Sequence, residues 1–211
     1  MRTLISTSFV SLDGVVEAPG GEPGYRNAGW TFKDIEFDPA AYAIKGSEQE
    51  EATALMLGRV SYEAFAPVWP GMTVEFAGYN AMPKYVVSAT LTEADLVDNW
   101  GETTILRSLD EVAALKETEG GPIIVNGSAT LNRNLSDAGL IDRYHLLVFP
   151  VLLGAGEPAR LHVDPRAGAE FGPAGRQGVQ GDGAGLAEQR CLQGRGRHGS
   201  DRTRCSNRCS T

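Results

Sequence analysis

The chain predicts an α/β fold, a doubly wound, mostly parallel sheet with helices on both faces, on three observations. Short β-rich runs alternate with helical segments from Leu4 to Leu153, the grammar of a sheet whose strands are joined by covering helices. The stretch from Gly121 to Leu131 passes from a β-branched run through a Gly-Ser loop into a helix, which turns backbone N–H groups outward from a strand end. A length of 211 residues with 42% hydrophobic and 22% charged content fits one ordinary soluble domain.

The elements follow in order. Leu4 to Leu12 reads as a first, central strand ended by the Asp13-Gly14 turn, and Pro19 to Gly29 as a surface loop anchored by Trp30 and Phe32. Pro39 to Leu57 carries Ala43, Ala54, Leu55 and Leu57 at helical spacing, with Gly46-Ser47 dividing it and Ser47 capping a second helix. A helix resumes over Val60 to Phe65. Strands are expected at Tyr85 to Ser88 and Thr103 to Leu106, and an amphipathic helix over Ser108 to Thr118, with Ser108 as N-cap and Glu111 three residues on. Pro122 to Val125 is a strand, Leu131 to Ala138 its helix, and Tyr144 to Leu153 a long apolar strand that closes at Gly154-Ala155-Gly156.

Charge divides the chain. Residues 1 to 156 carry a net −11, whereas residues 157 to 211 hold nine Arg, no Lys, ten Gly and all three cysteines, for a net +3. That second segment has no apolar period and reads as disordered, either an out-of-frame product of a GC-rich gene whose normal continuation would complete the sheet or a genuine disordered extension. The overall −8 argues against a nucleic-acid partner, no apolar run approaches a membrane span, and no signal peptide is evident, so a cytoplasmic location is expected. No metal site is expected either: Cys205, Cys209 and His198 match no common zinc spacing.

Gly58, Arg59 and Ser61 place a bare backbone, a guanidinium and a hydroxyl at a helix start, where they suit a phosphate or simply break a helix. Ser88 is either a phosphate donor or a turn cap. Asp13 is either a substrate-facing carboxylate or an Asx-turn residue. Glu48, Glu50 and Glu51 look like an exposed helix face, and His145 like a packed or edge residue.

Taken in order, Ser11-Leu12-Asp13-Gly14, Leu57 to Glu63, Tyr85 to Ser88, Ile124 to Leu131, Leu140 to Tyr144 and Phe149 to Gly156 resemble the dihydrofolate-reductase-like superfamily. The likeness is to stand-alone proteins similar to the carboxy-terminal reductase domain of the riboflavin-biosynthesis deaminase-reductase, and it covers Met1 to Gly156. It implies an NADPH-dependent reductase of the 5-amino-6-(5-phosphoribosylamino)uracil reductase type, delivering hydride to a small heterocyclic or sugar-derived substrate. It further implies that Gly58, Arg59, Ser61, Ser88, Gly127 and Ser128 hold the cofactor phosphates, that Asp13 and Gly14 lie beside nicotinamide and substrate, and that the domain is a homodimer. The rival is a non-catalytic nucleotide-binding or regulatory protein on the same fold, since no general acid stands out.

Overall fold

The computed structural model describes residues 1–159 apart from Asp34 and Glu75. Six strands form one sheet: β1 (Leu4–Ser11), β2 (Ala54–Gly58), β3 (Lys84–Val87), β4 (Thr103–Leu106), β5 (Ile123–Asn126) and β6 (Arg143–Phe149). They lie in the order β4-β3-β2-β5-β1-β6 and every pairing is parallel. Five helices connect them: α1 (Pro39–Glu51), α2 (Arg59–Phe65), α3 (Ala77–Ala81), α4 (Leu109–Lys116) and α5 (Ala129–Asp137).

The interior strands β2 and β5 are short and apolar because both of their faces are covered. On one face Ile5, Leu55, Leu57, Val86 and Ile124 pack with Tyr62 of α2 and with Trp69, Tyr79 and Trp100. On the other, Leu4, Met56, Ile123 and Val125 pack with Val112 of α4 and with Leu131 and Leu135 of α5. Thus α2 and α5 leave adjacent strands β2 and β5 toward opposite faces, which opens a crevice at their carboxyl ends.

Two sequence expectations are corrected. The helix assigned to Pro39 to Leu57 ends at Glu51, and Ala54, Leu55 and Leu57 belong to β2. An unbroken run of apolar residues has no period of its own, and here it is buried on both sides between β3 and β5. Nor does Gly46-Ser47 divide α1: the Ser47 hydroxyl donates back to the Ala43 carbonyl at 3.3 Å instead of capping a new helix. The helix begins at Pro39 as expected, capped by Asp38, whose carboxylate accepts from Ala40 N at 2.9 Å.

The second correction is Glu48, expected on an exposed face but only 5% exposed. It accepts from Thr7 Oγ1 (2.8 Å) and Lys45 Nζ (2.7 Å) and bonds His145 Nδ1 (2.8 Å). Thr7 and His145 are register partners on β1 and β6, so the two strands present them side by side to the carboxylate above. Glu50 and Glu51 are exposed as expected.

β1 is an interior strand, flanked by β5 and β6. Beyond Gly156, Glu157 N donates to Glu17 Oε2 (2.8 Å), Pro158 bridges to Val15, and Ala159 N donates to Gly14 O (2.6 Å). These contacts carry the folded body three residues past the boundary read from composition. The disordered-tail and shifted-frame reading for the remainder, with its cysteines, lies outside the described residues.

Candidate functional site

Crevice geometry starts at the end of β5. Gly127 and Ser128 both adopt left-handed backbone, with φ of +62° at each. For Gly127 this is free; for Ser128 it is a strained conformation that only its surroundings hold in place. Those surroundings come from three elements. The Ser128 hydroxyl accepts from Gly58 N at 2.8 Å, across the crevice at the end of β2, and donates to Ser61 Oγ of α2 at 2.7 Å. On the opposite side, buried Asn132 of α5 donates to the Gly127 carbonyl at 2.7 Å and accepts from Ser6 Oγ of β1 at 3.0 Å.

Because Ser128 spends its hydroxyl on α2, no side chain caps α5. The first-turn amides of Ala129, Thr130 and Leu131 therefore remain open donors at a helix terminus with positive dipole. Gly127 keeps the approach bare, since a Cβ there would stand 3.3 Å from Ser61 Oγ and 3.4 Å from Phe65 Cζ. Gly58, Ser61, Gly127 and Ser128, far apart in sequence, are thus one hydrogen-bonded junction that can receive an anion on backbone N–H groups.

The other expected site residues are placed differently. Arg59 is half exposed and turned along its own helix, where Nη1 meets both carboxylate oxygens of Glu63 at 2.8 Å. Ser88, buried at the end of β3, caps the following turn: its hydroxyl accepts from Leu91 N (2.9 Å) and Thr90 N (3.2 Å). Its carbonyl accepts from Arg107 Nη1 at 3.0 Å, a brace between β3 and the loop after β4.

Asp13 ties two loops together. It accepts from Ser11 Oγ (2.6 Å), Gly154 N (2.7 Å) and Leu153 N (3.0 Å), and these bonds, led by the Ser11 hydroxyl, hold its carboxyl down at about 2. A group so held is ionised at neutral pH and is no proton donor there. Gly14, with φ +81°, makes the turn that returns the chain beside residues 157–159.

Two contributors escaped the sequence reading. Asn132 gives no local signal, because its value lies in reaching both Gly127 and Ser6. Glu48 joins α1 to the β1–β6 face through partners 41 and 97 residues away. Among the described residues no group of three or more His, Cys, Asp and Glu side chains could hold a metal, and no helix is long and apolar enough to cross a membrane.

Comparison with known proteins speaks to family and fold. A family model described as the RibD C-terminal domain matches residues 2–167. The uncharacterized protein YyaP of Bacillus subtilis (strain 168) is 26% identical over 171 residues, covering 78% of this chain and 84% of that protein. A crystal structure from Shewanella sp. PV-4, of a protein named for riboflavin biosynthesis, superposes with a TM-score of 0.52 at 22% identity, covering 77% of this chain and 86% of that one. At that identity the likeness speaks for the fold.

Proposed function

From the chain's membership of the RibD C-terminal domain family, we propose that it is an NADPH-dependent reductase acting on a small heterocyclic or sugar-derived substrate. The observation that carries the reading is the strained Gly127-Ser128 loop, fixed from both sides of the sheet, with open amides of α5 behind it. These residues fit a dinucleotide. The amides of the α5 first turn would receive a phosphate, the bare Gly127 backbone would allow close approach, and Ser61 and Ser128 would hold the loop in shape. Arg59 would add a bidentate contact by leaving Glu63, an exposed pair one helical turn apart that is worth only about 0.3–0.5 kcal/mol.

When bound, the cofactor supplies a hydride, and the protein's part is to bind, orient and exclude water. Titration with NADPH followed by nicotinamide fluorescence tests the reading. Wild type should bind, and Arg59→Ala should weaken binding by about 1–2 kcal/mol, or roughly five- to thirtyfold. No binding at millimolar cofactor refutes it. The non-catalytic reading draws on Asp13, the carboxylate expected at the reaction centre and spent on loop hydrogen bonds. Binding without NADPH oxidation across a panel of pyrimidine and pterin substrates would favour it.

A further inference from the structure

Past the carboxyl end of β6 lies a groove of about 500 Å³ that the cofactor reading does not use. Arg26, Asn27, Trp30 and Lys33 form one wall and residues 151–153 the other. The volume falls within the range of small-molecule sites, roughly 300–1,000 Å³.

Both walls are fixed. Trp30 is 3% exposed, donates its indole N–H to the Glu17 carbonyl at 2.8 Å, and sets its ring edge-on to Phe149 with centroids 5.3 Å apart. Asn27 Nδ2 donates to the Leu153 carbonyl at 3.1 Å, bridging the walls. The far wall is held from behind by Asp13, through Leu153 N and Gly154 N, and by Leu12 N to the Val151 carbonyl at 2.9 Å.

Among the described residues, two cations and no carboxylate line this groove, in a chain whose net charge is −8. Arg26 has no hydrogen-bond or ionic partner among the described residues. Lys33 donates one ammonium proton to the Ala28 carbonyl, leaving two. Leu152, 75% exposed, supplies an apolar surface next to the charges.

We propose that this groove binds the oxyanion end of a small organic molecule, a phosphate ester or a carboxylate, with Arg26 and Lys33 meeting the anion and Leu152 the apolar body, over a floor set by Trp30. Resting on the reductase reading, the groove takes the substrate's anionic end, because β1, whose far side adjoins β5 and the cofactor crevice, lies next to β6. Asp13 then acts as a positioning residue for the far wall.

Amide and indole NMR shifts test this with orthophosphate as one arm and acetate as the other. Orthophosphate or acetate should shift the signals of Asn27, Trp30 and Leu153, and the preferred anion identifies the ligand class. Arg26→Ala/Lys33→Ala should weaken that binding at least tenfold, while Arg26→Lys/Lys33→Arg retains it. Unchanged affinity in the alanine pair, or shifts confined to residues 127–131, overturns the proposal. NADPH titration of the same samples separates the two readings. The alanine pair should bind cofactor like wild type, and failure of wild type to bind NADPH counts against the reductase alone.

Discussion

Replacing Glu48 by leucine should destabilise the domain by about 3 kcal/mol, although the position touches no expected cofactor contact. Its carboxylate holds Thr7, Lys45 and His145, tying α1 to β1 and β6. Removing one member of a buried ionic group generally costs roughly 3–5 kcal/mol, because the partner charge stays behind without compensation. The Lys45 side chain is 17% exposed, so water reaches its ammonium and the lower end applies. Against a total stability of roughly 5–15 kcal/mol this is a large fraction, equivalent to a melting-temperature fall of roughly 6–12 °C in a domain of this size.

Urea denaturation followed by tryptophan fluorescence measures it. Burial pushes the Glu48 carboxyl up, but the bonds from His145, Lys45 and Thr7 outweigh burial and hold it below its ordinary 4.5. With the folded value below the unfolded one, the stabilisation is complete above the unfolded value and is lost as pH falls through the folded one. The gap between wild type and variant should therefore narrow below pH 4.5. Substituting Lys45→Met, Glu48→Leu and His145→Leu together should recover most of the loss, since the Lys45 charge and the His145 ring nitrogen are no longer left without their partner. A single-variant loss below about 1 kcal/mol, the scale of a surface pair, or a gap unchanged in acid, refutes the reasoning.

Gly127→Ala should cost about 1–2 kcal/mol for a side chain in left-handed backbone, and should weaken NADPH binding through the 3.3 Å approach to Ser61 Oγ. Equal stability and affinity would show that the loop tolerates a Cβ. Lys84 is fully buried, donating to the Asn80 and Met82 carbonyls, and burial pushes its ammonium down to about 8. The native state therefore loses this proton before the unfolded chain does, so stability should rise from about pH 8 toward pH 10, and Lys84→Met should abolish that rise in denaturation curves. Asp13→Asn should speed hydrogen exchange at the Leu153 and Gly154 amides, and unchanged protection would deny Asp13 its bracing role.

Where a signal is local, the amino-acid sequence by itself determined the structure. Thr103 to Leu106 is a strand with the expected bounds, and Ser108 caps α4 by accepting from Glu111 N at 3.3 Å. Gly127 followed by Ser128 marked the turn from β5 into α5, because glycine bends a chain freely and serine is common at a helix start. Other features exist only through partners remote in the chain. Ala54 to Leu57 is equally apolar as helix or strand, and pairing with β3 and β5 decides for strand. Glu48 becomes buried because Thr7 and His145 arrive side by side in register, and Ser128 holds its strained backbone because Gly58 and Ser61 stand across the crevice. The groove of Arg26 and Lys33 needs a wall more than a hundred residues away. Backbone preference is written residue by residue, whereas burial and charge compensation belong to pairs that meet only when the sheet has formed.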